Sequence, residues 1–195
     1  MEENELIQII YTTQDDDTKD IVEERTEPLL LQLKNSSLPD KIKEGLKNMK
    51  EGDEKEIFAE KPFGNREKDL INVVPLKQFT KNKINPFPGL IVDLDGYKAL
   101  IKAVSGGRVV VDFNHLLAGR NLRYKIKLLK ILKENKDKII ELAKSQDLDV
   151  NVDIQDKKAN VKLIDKGDKE TFTRRKNTLF LALKQFVPDL EIKLE

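Results

Sequence analysis

Hydrophobic positions along this chain recur with two periods, one of a strand and one of a helix. ELIQIIY at 5–11 is apolar and β-branched over a strand's length. It stops at TTQDDDTKD, where the triple Asp predicts a solvated turn. PLLLQL at 28–33 predicts a second strand, closed by the loop KNSS. In LPDKIKEGLKNM, Leu38, Ile42, Gly45 or Leu46, and Met49 recur at helical spacing. Pro39 suits the first helical turn, where its missing N–H is no loss. EGD at 51–53 turns and EKEIFAE at 54–60 is a strand. KPFGNREKDLINVVPLKQF then predicts an irregular loop with one or two short extended pieces.

Residues 80–117 differ in character. Two prolines flank Phe87 in NPFPG at 85–89, and two strands, YKALIKAV at 97–104 and RVVVDF at 108–113, are joined by SGG. Gly106 and Gly107 supply the positive φ of a tight hairpin turn. The segment predicts a small β-rich unit whose large apolar residues outnumber what its length can bury. LRYKIKLLKI at 122–131 alternates Leu122, Tyr124, Ile126 and Leu128 with basic residues, the mark of a strand with one buried face.

The last sixty residues carry their own pattern. ENKDKIIELAKSQ at 134–146 is helical, with Ile139, Ile140 and Ala143 on one side. DVNVDIQ at 149–155 and ANVKLID at 159–165 alternate. After the polar break KGDKE, TRRKNTLFLALKQFV at 173–187 sets Leu179, Phe180, Leu183, Phe186 and Val187 on one helical face, and LEIKL at 190–194 alternates again. One-faced strands need a cover, so an α-β-β-α-β two-layer domain is expected.

Composition narrows the chemistry. Among 195 residues, 36 Lys and Arg nearly cancel 35 Asp and Glu, which argues against a dedicated nucleic-acid binder. The short TRRK run at 173–176 predicts a solvated helix start rather than a nucleic-acid patch. No cysteine is present, which excludes a disulfide framework, a thiolate metal site and a cysteine nucleophile. His115 is the one histidine, too few for a His-rich metal site, and by itself it reads as a structural turn residue. No run approaches about 18 apolar residues, and the acidic start MEENE is unlike a signal peptide. A cytoplasmic protein without a membrane segment, metal or cofactor is expected.

RVVVDFNHLLAGRNLRYKIKLLKI at 108–131 resembles the closing segment of FK506-binding-protein (FKBP) prolyl isomerases of the SlyD and archaeal type, through its Asn-His, its Leu-Ala-Gly and the alternating strand. IIYTT at 9–13, the stretch PLLLQLKNSSLPDKIKEGLKNMKEGDEKEI, KPFGN and NVVPLKQF resemble further family pieces in the right order. The resemblance spans about 1–133. It implies an α+β fold with three parts. An FKBP-like antiparallel sheet with one helix is formed by 1–79 plus 118–133. It is interrupted by an insert-in-flap (IF) chaperone domain at 80–117, and 134–195 follows as an α-β-β-α-β domain.

The function implied is peptidyl-prolyl cis-trans isomerisation of Xaa-Pro bonds in unfolded or nascent chains, with chaperone activity from the insert. By position, Tyr11, Leu31, Ile42, Phe63 and Tyr124 would line the pocket, with Val22 or Ile21 at its side. Glu23, or Val22, stands where the family has Asp. Phe63 stands where it has Tyr. Pro39 falls where a backbone N–H meets the peptide, unless the register slips by one and Leu38 supplies it. Phe87, Leu90, Leu94, Tyr97, Leu100, Phe113 and Leu116 would bind clients, with Leu117 beside them. The alternative is a holdase chaperone with a degenerate pocket. A third reading makes 134–195 a docking module for a partner, a ribosome or a second copy.

Overall fold

The structure, a computed structural model, describes residues 5–94, 96–164 and 168–195. The acidic start at 1–4 and the segment 165–167, which holds the end of ANVKLID and part of the KGDKE break, lie outside the described residues. The first half of the chain forms β1 (Leu6–Asp15), β2 (Ile21–Gln32), α1 (Asp40–Lys47), β3 (Glu54–Ala59), β4 (Ile71–Pro75), α2 (Leu76–Lys81) and β5 (Ile91–Leu94). The second forms β6 (Tyr97–Ser105), β7 (Arg108–Asp112), β8 (Leu122–Leu132), α3 (Asn135–Lys144), β9 (Asp149–Gln155), β10 (Lys158–Ile164), α4 (Lys169–Phe186) and β11 (Glu191–Leu194). The fold is mixed α+β. Its contacts divide it into two compact units, Met1–Gln14 with Ile21–Ile57 and Arg123–Glu195, and Asp15–Asp20 with Phe58–Leu122.

The first unit rests on a sheet of order β2-β1-β8-β3. The alternation in β8 is realised: Leu122, Tyr124, Ile126 and Leu128 are all buried. α1 buries Ile42 and Leu46, and its Gly45 lies so close to Ile57 of β3 that a Cβ there would collide with the Ile57 side chain. Pro39 occupies the N-cap position rather than the first turn, its carbonyl accepting from the Ile42 and Lys43 N–H groups.

Two strands are longer than the apolar runs indicated. β1 continues through the expected turn to Asp15, which is only 3% exposed; its Oδ1 accepts from the Asp17 and Thr18 N–H groups and its Oδ2 from Arg120. The turn is thus built around a buried carboxylate, not a solvated one. β2 starts seven residues before Pro28, at Ile21. Its first half, IVEERTE, lies on the sheet edge, where charged side chains face water and no apolar stripe is needed. A register shift between Ile9 and Tyr11 falls opposite the stretch holding Pro28, which lacks a ladder donor.

Also in the first unit, β9, β10 and β11 form a sheet of order β11-β10-β9, β10 pairing antiparallel with β9 and parallel with β11. α3 and α4 contribute Ile139, Leu142, Ala143, Leu179 and Leu183 to its core. That core includes Leu6 and Leu132, with Leu30 packed against it, so it continues into the β1–β8 sheet. α4 begins four residues before Thr173, because Asp168 caps it by accepting the Thr171 N–H at 2.9 Å.

The second unit holds an antiparallel sheet of order β4-β7-β6-β5. The SGG hairpin forms, with Gly106 at φ 55° and Gly107 at φ 74°. The segment expected to be mostly irregular supplies both β4, paired with β7 along its whole length, and the helix α2. Phe79 of α2 is 2% exposed and centres the core of Val92, Ala99, Ile101, Val109 and Val111. Short apolar stretches interleaved with lysines hid both elements.

Candidate functional site

Tyr11 projects from β1 onto the buried face it shares with Ile7, Ile9 and Thr13. Its hydroxyl donates to Glu23 Oε1 at 2.7 Å. Burial first, then the Glu23 bond and charge, push the phenol up to about 12. Tyr124 on β8 is pushed to about 12 as well, by burial and then by the charges of Glu23 and Tyr11. The structure therefore brings Tyr11, Glu23 and Tyr124 together, and both phenols stay protonated donors at neutral pH. Glu23 itself is exposed on the edge strand and Val22 is half-buried, while Ile21 is 60% exposed.

Leu31 pairs with Ile7, four residues along β1 from Tyr11, or about 13 Å at the usual strand rise. Leu29, passed over in the sequence, pairs with Ile9, next to Tyr11 on the same face, and is half-buried. Ile42 is fully buried in α1. Before that helix, Pro39 has no N–H to give. The half-buried Leu38 has an N–H with no acceptor among the described residues, so the chain offers a donor there. Thr13, opposite Glu23, carries a buried hydroxyl without a partner among the described residues. Extending the β1 alternation two residues past Tyr11 would have found it.

In the second unit Phe63 is half-buried and stacks on His115, ring centroids 4.1 Å apart and planes within 11°. His115 has the aromatic partner its sequence neighbours did not indicate. Beside it, Asn114 is 5% exposed. Its side chain donates to Asp112 Oδ1 at 2.8 Å and to the Glu67 carbonyl at 2.9 Å, and accepts the Glu67 N–H at 2.8 Å. Arg66 forms an ion pair with Asp112. Burial would raise the Asp112 carboxyl, but the Asn114 donors and Arg66 outweigh it and hold that group below the usual carboxylate range. This network ties the Phe63 loop to the segment after β7.

Of the expected client residues, Leu94, Tyr97 and Phe113 line an open groove of about 650 Å³ with Val74, Phe79 and Ile84, which the sequence reading did not include. Tyr97 is 71% and Phe87 56% exposed, Leu116 is exposed, and Leu90 and Leu100 are half-buried elsewhere on the sheet. In α4, Thr173 bonds the Lys169 carbonyl, Arg175 bonds Asp147 and Lys176 bonds the Leu194 carbonyl, so three of the four TRRK side chains are engaged within the fold. Among the described residues no group of three or more acidic or histidine side chains is placed to hold a metal. No described helix is long and apolar enough to cross a membrane.

The family model "FKBP26, IF domain" matches residues 72–117, the span of the β4–β7 sheet and α2. The short-type peptidyl-prolyl cis-trans isomerase of Methanocaldococcus jannaschii is 32% identical over 108 residues, 54% of this chain and 69% of that protein. The FKBP-type 16 kDa peptidyl-prolyl cis-trans isomerase of Escherichia coli K12 is 29% identical over 141 residues, 67% of this chain and 93% of that protein. The chain belongs to the FKBP-type peptidyl-prolyl cis-trans isomerase family and carries that family's IF domain.

Proposed function

We propose that this protein isomerises Xaa-Pro bonds in unfolded or nascent chains and holds those chains with its IF insert. The Tyr11–Glu23 bond beside Tyr124 carries the reading: it fixes one protonated phenol next to a second on an apolar face. Prolyl isomerisation needs no nucleophile or metal. Its barrier, about 18–20 kcal/mol for a peptide bond, comes from C–N double-bond character, whose charge-separated form a water-poor apolar surface disfavours. In this reading Tyr11, Tyr124, Ile42 and Leu29 or Leu31 form the apolar surface around the proline ring. The Leu38 N–H holds a peptide carbonyl. Val22 stands at the side of that surface. The groove at Leu94, Tyr97 and Phe113 binds apolar client side chains, raising the local concentration of prolines. Residues 134–195 would form a further domain that docks a partner or a second copy.

Exchange NMR on a short Xaa-Pro peptide tests the enzymatic part: catalytic amounts of protein should broaden and merge the cis and trans signals. Proline-limited refolding should accelerate too, with most of the gain lost on deleting the insert. The second reading, a holdase with a degenerate pocket, is favoured by Phe63, a ring with no hydroxyl to hold a carbonyl. It predicts suppressed aggregation at stoichiometric amounts with no line broadening.

A further inference from the structure

We propose that Thr13 is a positioning residue for the Tyr11–Glu23 pair: its hydroxyl takes up the Glu23 carboxylate when the Tyr11 hydroxyl turns to a peptide carbonyl. The proposal rests on the isomerase reading, and its residues all belong to one compact unit. Thr13 lies two residues beyond Tyr11 on the same buried face of β1 and is 1% exposed. Its Oγ1 is shielded from solvent and has no hydrogen-bond partner among the described residues. A buried hydroxyl without a partner weakens the fold around it, and a second state in which it is bonded accounts for its presence.

The ladder supplies the partner. Thr13 and Glu23 are direct cross-strand partners of β1 and β2, so their side chains share one face, with Cβ atoms about 4.5–5.5 Å apart. Immediately beyond them the register shifts: Gln14 pairs with Ile21, which leaves Val22 as an extra residue. A bulge of this kind re-aims the side chain beside it. Here that side chain is Glu23, which reaches from the exposed edge strand to the Tyr11 hydroxyl at 2.7 Å. Glu23 thus faces two hydroxyls of β1, of which it holds the phenol while the Thr13 Oγ1 stays unbonded.

Substrate exchanges the two. The phenol carries a single proton, so it donates either to Glu23 or to the peptide. A bond to the oxygen of the rotating amide would stabilise its planar, charge-separated form and oppose isomerisation, so the phenol serves a flanking carbonyl. Glu23 then loses its donor, and the Thr13 hydroxyl turns onto the freed carboxylate in a charge-assisted bond. No proton changes hands; one hydrogen bond to Glu23 replaces another. The flanking carbonyl is held alike in ground state and transition state, so Thr13 acts on KM and leaves kcat unchanged.

The test combines exchange NMR kinetics on one Xaa-Pro peptide with thermal melting of the full chain. Thr13→Val keeps the side chain's shape and removes the hydroxyl. It should raise the melting temperature by about 2–4 °C, because the orphaned group is gone. The same variant should raise KM about three- to tenfold at constant kcat. A purely structural role would move stability and substrate affinity in the same direction, or leave KM alone. Thr13→Ser, which retains a hydroxyl, should lose less. In a Tyr11→Phe background no phenol leaves Glu23, so adding Thr13→Val should leave KM where Tyr11→Phe alone puts it. An active wild type with KM unchanged in Thr13→Val, or an equal Thr13→Val effect in both backgrounds, overturns the proposal and leaves the isomerase reading standing. A Thr13→Val chain that melts below wild type or fails to fold shows the hydroxyl already bonded in the free protein, and overturns it too. A wild-type chain with no catalysis overturns both.

Discussion

The Tyr11 hydroxyl spans the first hairpin to Glu23 Oε1 at 2.7 Å, joining a buried strand position to an exposed edge. A glutamate is long enough to reach from the edge strand while its second oxygen stays solvated. The carboxylate keeps the phenol protonated and aimed, and the phenol in turn fixes a side chain that would otherwise swing free.

That pair has an alkaline signature. Tyr11 and Tyr124 are both raised to about 12, so the folded state holds their protons more tightly than the unfolded chain. The stability they confer is fully present below about pH 10 and is lost as pH rises toward 12. Ultraviolet titration should show two of the three tyrosines ionising only around pH 12. Glu23→Gln should lower the Tyr11 midpoint, and Tyr11→Phe should slow prolyl exchange without unfolding the chain.

The acid limb belongs to the second unit. Asp112 is held low against its burial by Asn114 and Arg66; Asp15 is held low by the Thr18 N–H first, against burial, with help from the Asp17 N–H and Arg120. Both carboxylates contribute stability above the ordinary carboxylate value of about 4, lost as pH falls through their lower folded values. Asp112→Asn should cost about 1–3 kcal/mol at pH 7. Urea unfolding repeated between pH 7 and 3 should show a flatter pH dependence for the variant than for wild type.

Gly45 tests how tightly α1 sits on β3. Alanine there gains about 1 kcal/mol of helix propensity but forces the Ile57 Cδ1 methyl aside. The off-rotamer cost, about 0.5–1.5 kcal/mol, cancels most of that gain. In an Ile57→Val background, which lacks that methyl, Gly45→Ala should be stabilising by close to the full amount. Equal effects in the two backgrounds would mean the helix simply lifts away.

Leu6, Leu30 and Leu132 share their apolar cluster with Leu179 and Leu183 of the C-terminal elements. Truncation after residue 133 should uncover them at about 1.5–3 kcal/mol each. Thermal melts of 1–133 should fall well below those of the full chain, and Leu132→Ala should destabilise the full chain in the same direction. A truncated chain melting where the intact one does would show that the cluster contributes no coupling.

Local periodicity was enough to place the strand Leu122–Leu132, the Gly106-Gly107 hairpin and the α-β-β-α-β order of the C-terminal elements, because each buries one face and the pattern repeats within a few residues. The order of NHLLAG and its companion pieces placed the family. Only the tertiary structure decided the rest. The edge half of β2 has no apolar face to betray it, and β4 and α2 gain their stability from β7 and Phe79. Arg66 meets Asp112 from 46 residues away, Arg120 meets Asp15 from 105, and His115 finds Phe63 across two loops. Polar and stacking contacts of that kind carry no period along the chain. They form only once the sheets have brought distant loops together.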